Sequence, residues 1–303
     1  MRILLTGTSG QVGGALLPLL RGPHEVLAPH RAEFDLSLPE VVAGALDDLK
    51  PDLIVNPAAY TAVDRAEDEP ELALRVNAEA PAALARWAAR HTIPFVHFST
   101  DYVFDGSGEA PWREEDACRP LSSYGRSKWQ GEKAIRVSGA PHLIIRTSWV
   151  YAAQGVNFLC TMSRLARERD ELRVVADQFG APTSAPSIAE ALATIVGRDR
   201  SKAALAADFA RAKGVVHFAN SGTTSWHGFA SAIVDGLRAL GADLRARSVT
   251  PISTRDFPTK AVRPLNSRLD LTRLRNVFGM TPPSWEQALD CELRSMIKAP
   301  SSG

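Results

Sequence analysis

The sequence predicts an α/β fold, a doubly wound parallel sheet followed by a smaller C-terminal unit. Three observations predict it. Short apolar runs alternate with longer stretches of helical period from the first residues onward. The runs are continuous, as in Leu53-Ile54-Val55, where a half-exposed strand would alternate. A glycine-rich turn joins the first run to the first helical stretch. Continuous apolar strands belong to a sheet covered on both faces. Strands alternating with helices build right-handed crossovers between parallel neighbours.

Strand character is read at residues 3–6, 25–28, 53–58, 95–99, 143–147 and 215–219. Helical periodicity fills residues 39–49, 70–90 and a stretch from about 121 through 133. After about Tyr151 the rhythm changes to helical stretches at 157–169, 187–196 and 226–240. Pro-, Gly- and Ser-rich connectors such as residues 179–186 separate them. Residues 1–150 therefore read as a dinucleotide-binding domain, which the strand near 214–219 is expected to rejoin. Residues 151–303 read as mainly a substrate-binding domain, and the small polar tail 299–303 is expected to fray.

Composition removes several classes of function. At 303 residues, 45% hydrophobic and 23% charged, the chain matches an ordinary globular protein and not a disordered or fibrous one. Its 35 basic and 34 acidic residues give a net charge of +1, so neither nucleic acid nor an anionic membrane is an expected partner. No apolar run approaches the 18 residues or so of a membrane span. Cys118, Cys160 and Cys291 are odd in number and far apart, which suits a reducing compartment better than a disulfide framework. With no signal peptide ahead of the first strand, a cytoplasmic location is expected.

The first strand runs into Thr6-Gly7-Thr8-Ser9-Gly10-Gln11-Val12-Gly13. Glycines in a strand–turn–helix context let the backbone approach a pyrophosphate, whose charge then meets the free N–H groups of a helix N-terminus. This is the pattern of a Rossmann-type dinucleotide site. The second strand ends in Ala28-Pro29-His30-Arg31-Ala32-Glu33-Phe34-Asp35. Arg31 suits a 2′-phosphate, whereas Glu33 or Asp35 suits free ribose hydroxyls. The reading leans to NADPH, with NADH left open.

Two further segments carry chemistry. Phe98-Ser99-Thr100-Asp101-Tyr102 falls at the carboxyl end of the fourth strand, where open parallel sheets gather ligands. Downstream, Ser123-Tyr124-Gly125-Arg126-Ser127-Lys128 puts Tyr124 and Lys128 four residues apart on one helix face. A carbonyl that accepts hydride leaves an alkoxide needing a proton, and a positioned phenol can supply it. A free phenol titrates near 10. A neighbouring ammonium is expected to bring Tyr124 closer to neutrality. Thr100 is placed to hydrogen-bond the substrate oxygen. The seven histidines show no paired-ligand spacing, no metal is expected, and His97 reads as a satisfied core residue.

At these residues the chain resembles the extended short-chain dehydrogenases/reductases, and within them the dTDP-4-dehydrorhamnose reductase family. The likeness spans residues 1–289 and is carried by several blocks in order. Gly10-Gln11-Val12-Gly13, Ala58-Ala59-Tyr60-Thr61-Ala62-Val63-Asp64 and Ser99-Thr100-Asp101-Tyr102-Val103-Phe104 come first. Arg146-Thr147-Ser148-Trp149-Val150-Tyr151, Asp177-Gln178-Phe179-Gly180-Ala181-Pro182-Thr183 and Arg263-Pro264-Leu265-Asn266-Ser267 follow.

The resemblance implies NAD(P)H-dependent reduction of the 4-keto group of dTDP-4-dehydro-β-L-rhamnose. It implies that Gly10, Gln11 and Val12 touch the cofactor phosphates and that Asp35 and Leu36 lie near its adenine. It further implies that Ala59, Tyr60 and Thr61 line the cofactor, with Phe98 beneath. Tyr124 would be the proton donor, Lys128 its partner and Thr100 the third member. Asp101 and Trp149 would contact the sugar nucleotide, and Arg263, Asn266 and Ser267 its nucleotide end. Some members of the family form a metal-bridged dimer through a carboxylate in the first helix. Ala15 stands at that position here, so neither metal nor that dimer carries over, and monomer or homodimer is expected. A dehydratase or epimerase is disfavoured because Tyr102, and not a glutamate, follows Asp101. A regulatory subunit like the β-subunit of methionine adenosyltransferase is disfavoured because Thr100, Tyr124 and Lys128 are all present.

Overall fold

The computed structural model describes residues 1–298, so the tail expected to fray lies outside the described residues. The strands of the first half are β1 (Arg2–Leu5), β2 (Glu25–Leu27), β3 (Leu53–Asn56), β4 (Phe95–Thr100) and β5 (His142–Thr147). Those that follow are β6 (Val150–Tyr151), β7 (Glu171–Val175), β8 (Phe179–Gly180), β9 (Thr183–Ser184), β10 (Val215–His217), β11 (Thr224–Ser225) and β12 (Ser248–Ile252). The helices begin with α1 (Gln11–Arg21), α2 (Val42–Leu49), α3 (Pro70–Leu74), α4 (Ala80–His91) and α5 (Ser123–Val137). They continue with α6 (Phe158–Glu168), α7 (Ala185–Val196), α8 (Lys202–Arg211), α9 (Trp226–Ala239), α10 (Thr272–Phe278) and α11 (Trp285–Lys298).

One six-stranded sheet runs β10-β5-β4-β3-β1-β2, every pairing parallel. Its strands are the six apolar runs read from the sequence, each within two residues of the expected ends. The continuous apolar runs are explained by the two cores they feed. Ile3 and Leu5 enter one core with Leu53, Val55, Leu16 and Ile188, while Leu4 enters the other with Ile54, Leu84 and Ile144. Each such side chain contributes roughly 1.5–3 kcal/mol through burial, so alternate residues of one strand hold opposite layers of helices.

The stretch expected as one helix over 70–90 is interrupted. Residues Arg75–Glu79 form a π-helical turn between α3 and α4. Pro81 gives the physical reason: it lacks an N–H, and its ring would strike the carbonyl of the residue four before it, Asn77. A wider turn there moves that carbonyl aside.

The later half has its own core, built on Tyr151, Leu159, Phe229, Ile233 and Trp285. Its parallel pair β7–β12 and its helices α8, α10 and α11 had no counterpart in the expected elements. No helix among the described residues is long and apolar enough to cross a membrane.

Candidate active site

The turn after β1 is shaped for an anion. Gly7 adopts φ +60, and its carbonyl accepts from Gly10 N–H at 3.0 Å. A Cβ at Gly13 would overlap that same Gly7 carbonyl, so α1 can sit this close to the turn only with glycine there. Gly10 begins α1 with no side-chain cap, and the first turn holds no acidic residue. The helix thus offers unclaimed N–H groups with nothing to repel a phosphate. Gln11 adds a buried Oε1 without a partner, and Val12 packs on the first core. These residues fit a dinucleotide pyrophosphate.

Further round, Ala59, Tyr60 and Thr61 follow β3. Tyr60 N–H donates to Asn77 Oδ1 at 2.8 Å, and its hydroxyl donates to Glu69 at 2.6 Å. Beyond β2, Arg31 lies 3.6 Å from Asp35, and Asp35 also accepts from Ser37 N–H at 2.8 Å. Leu36 is buried in the second core, so its side chain is packing there. Phe98 is buried in the first core.

The catalytic candidates converge where β4 ends against α5. Ser122 caps α5, its hydroxyl accepting from Gly125 N–H at 3.1 Å, which fixes Tyr124 in the first turn and Lys128 one turn on. Thr100 caps the short 3-10 turn Asp101–Val103, accepting from Tyr102 N–H at 3.2 Å, and donates to Asp101 Oδ1 at 3.0 Å. Thr100 also lies close enough to the Tyr124 phenol to favour its ionised form. Tyr102 meets Tyr124 edge-on, with ring centroids 5.6 Å apart.

The electrostatics differ from the expectation at one point. Burial pushes the Tyr124 phenol up to about 12, the Asp101 charge adds to the rise, and the nearby Thr100 hydroxyl only partly offsets it. Lys128 does not bring it down. The lysine is itself buried, its Nζ donates to Phe98 O at 2.6 Å and lies 3.1 Å from His97 Nε2, and burial pulls it down to about 7. Tyr124 is therefore a phenol that keeps its proton until something strongly basic asks for it. Asp101 is 2% exposed with Oδ2 unpartnered, and burial lifts it to about 6 although the Thr100 hydrogen bond and the nearby Ser267 hydroxyl favour its charged form.

The substrate-side candidates divide. Ser267 reaches Asp101, and its N–H donates to Phe179 O at 2.7 Å. Trp149 adopts φ +50 and stacks on Trp226 with centroids 3.7 Å apart. Asn266 is spent on its own chain: Nδ2 donates to Ala110 O at 2.8 Å, and Oδ1 accepts from Arg268 Nε at 2.8 Å. Arg263 forms a two-pronged pair with Asp64 at 2.7 and 3.1 Å, tying the segment after β3 to the late one. Arg268, close by, lines a cavity. That cavity, of about 350 Å³, is also bounded by Phe179, Leu265, Asn266, Gly108 and Glu109. A more open depression of about 560 Å³ along β7 and β12 contains none of the candidate residues.

A family model described as the RmlD substrate binding domain matches residues 1–297. The chain belongs to that family. It is 46% identical to a dTDP-4-dehydrorhamnose reductase of Burkholderia thailandensis, with 98% of this chain and 99% of that protein aligned. Among solved structures, a dTDP-4-dehydrorhamnose reductase of Clostridium acetobutylicum superimposes with TM-score 0.87 at 33% identity, covering 98% of this chain and all of that one. The Bacillus anthracis enzyme of the same name, solved in complex with NADP, gives TM-score 0.86 at 31% identity over 97% and 99% of the two chains.

Within this family site, one residue escaped the sequence reading. Asn77, fully buried in the π-helical turn, donates to Tyr60 O at 3.0 Å and Ser127 Oγ at 3.0 Å while accepting from Tyr60 N–H. It clamps the segment after β3 to α5, one residue before Lys128. The available signal was Pro81 four residues on, inside an otherwise helical run.

Proposed function

We propose that the chain reduces the 4-keto group of dTDP-4-dehydro-β-L-rhamnose with NADPH, and with NADH as an alternative donor, yielding dTDP-L-rhamnose. The reading rests on one observation: Thr100, Asp101, Tyr124 and Ser267 meet at the carboxyl edge of β4, with Lys128 buried behind them on the same helix as Tyr124. The names of the relatives support the same substrate.

The glycine turn, Gln11 and the start of α1 would hold the cofactor diphosphate, and residues 59–61 would follow its length. The chemistry a nicotinamide supplies when bound is a hydride for the keto carbon. Thr100 and Tyr124 would direct the keto oxygen. Because its phenol is held near 12, Tyr124 stays protonated at neutral pH and gives up its proton to the developing alkoxide, a much stronger base. Asp101 and Ser267 would fix sugar hydroxyls. Trp149 would wall the apolar face of the sugar, and the cavity beside Phe179 and Arg268 would take the nucleotide end.

On this reading residues 1–150, with the return strand near 214–219, carry the cofactor, and 151–303 mainly carry the substrate. Arg31 favours the phosphorylated cofactor, and three separated thiols accord with the cytoplasm. A monomer or a homodimer would serve. The test is oxidation of NADPH and of NADH with enzymatically made dTDP-4-dehydrorhamnose, beside UDP-linked 4-keto sugars. Turnover confined to the dTDP substrate is expected. Absence of oxidation with every keto sugar would refute the reading.

A further inference from the structure

Lys128 ends a flexible four-carbon stem, so something must fix the direction of its amine. Two polar atoms among the described residues do so. Phe98 O, 2.6 Å away, is fixed because Phe98 lies within β4 between its neighbours. His97 Nε2, 3.1 Å away, belongs to a ring buried in the same strand. The tetrahedral nitrogen spends one direction on its own carbon and two on these partners. A single direction remains for a further one.

The ring is held in its turn. His97 Nδ1 lies 3.1 Å from Asn56 Nδ2, and Asn56 Oδ1 accepts from the Thr6 hydroxyl at 2.6 Å. Ala58 N–H donates to the same hydroxyl at 3.4 Å. Asn56, His97 and Thr6 are all buried, and they cross from β3 to β4 and to the residue before Gly7. A histidine serving only to fill space beneath the sheet edge would need partners of its own but would not need the lysine. This one spends each ring nitrogen on a different element.

We propose that His97 is the positioning residue of Lys128, its Nε2 holding the amine against the Phe98 carbonyl while Asn56 and Thr6 hold the ring. The inference rests on the reductase reading above. It ties the direction of the lysine to the floor of the glycine turn, so that the amine and the diphosphate cradle are set by one hydrogen-bonded chain. Burial keeps His97 neutral, which prevents a second cation from forming beside the amine.

Two substitutions and one spectrum test this. His97→Met fills the space without a hydrogen-bonding atom, whereas His97→Gln returns a polar atom near the place of Nε2. With NADPH and the dTDP-keto sugar, His97→Met is expected to lower kcat roughly tenfold, the size of one lost buried hydrogen bond. The sugar-nucleotide KM should change less than about twofold. His97→Gln should recover most of the loss, with thermal midpoints of both variants measured alongside. Equal losses in the two variants, or none in either, would overturn the proposal. Independently of activity, 15N spectra of histidine-labelled free protein should show the His97 Nε2 resonance move in Lys128→Met while the exposed histidines stay put. An unmoved resonance would overturn it as well. If the wild-type chain oxidises no NADPH, the reductase reading fails, and the spectrum still decides the contact.

Discussion

Two buried polar clusters sit one turn apart on α5, and they are finished differently. At Glu132 the carboxylate receives both prongs of Arg146, at 2.9 and 2.7 Å, and Arg136 at 3.2 Å, with Glu132 and Arg146 fully shielded from solvent. Burial alone would raise the Glu132 carboxyl, but Arg146 overrides it and holds it below its usual range. At Lys128 and Asp101 the burial is similar, Tyr124 is half-buried beside them, and the pairing is incomplete. The lysine is pulled to about 7, the phenol pushed to about 12, the aspartate lifted to about 6, and Asp101 Oδ2 has no partner. Desolvation acts on both clusters; Arg146 answers it in one, whereas at Lys128 the charge of Glu132 offsets it only in part. A cluster built for stability satisfies its atoms, while one built for chemistry leaves some for the ligand.

The sharpest way to break this contrast is to unpair the finished cluster. Arg146→Met should cost about 3–5 kcal/mol, because Glu132 is left charged and buried without its partner. The double substitution Arg146→Met with Glu132→Leu should recover much of that, since an apolar pair replaces an ionic one. Urea unfolding of the three variants checks both. A single-variant cost below about 1 kcal/mol would show the pair to be ornamental.

The same operation on the unfinished cluster should spare the fold and strike the chemistry. Tyr124→Phe removes one hydroxyl and is expected to lower turnover a few hundredfold, about 3–4 kcal/mol, the range of a general acid. NADPH affinity, measured by fluorescence titration, should stay within about threefold, because the proton matters only as the alkoxide forms. Near-normal turnover would remove Tyr124 from the role.

What the sequence revealed of these clusters follows their physics. Strand runs such as Leu53-Ile54-Val55 were legible because burial on two faces writes itself as continuous apolarity. Tyr124 and Lys128 were legible because helical spacing alone puts them on one face. The response of Tyr124 to Lys128 was not: spacing sets the side-chain face, but burial and the pull of Phe98 O and His97 set where the amine points. At Arg263 and Asn266 the chemistry was legible and the partners were not, for the same reason. Their chemistry suits a diphosphate or a base, yet partners over 150 residues away, Asp64 and Ala110, claim them. The parallel pair β7–β12 was missed because five-residue strands, one alternately exposed and the other with no buried position, carry little signal over the surrounding connectors.

The contrast can be sharpened with pH. Asp101 titrates at about 6 in the folded chain against about 3.8 unfolded. Between those values the folded chain holds more protons than the unfolded one, so this residue subtracts stability as pH rises through the window. Asp101→Asn lacks that slope. The stability of the variant relative to wild type should therefore improve by about 2 kcal/mol from pH 4 to pH 7 and then level off. Thermal midpoints across that range decide it. A pH-independent difference would show that the carboxyl is not held in its acid form.

The smallest effect is expected at the apolar edge of the same site. Trp149 lies half-buried against Trp226, with ring centroids 3.7 Å apart, and on the reductase reading its ring walls the sugar. Removing it in Trp149→Ala deletes contact area without unpairing any charge, so neither the fold nor the proton step should suffer much. The loss should appear as about a tenfold rise in the sugar-nucleotide KM, roughly 1.4 kcal/mol, with kcat within about threefold. A change confined to NADPH affinity would move Trp149 to the cofactor side. A fall in kcat as large as that of Tyr124→Phe would mean that the wall orients the keto group for reaction, and the line between binding surface and proton machinery would have to be redrawn through this residue.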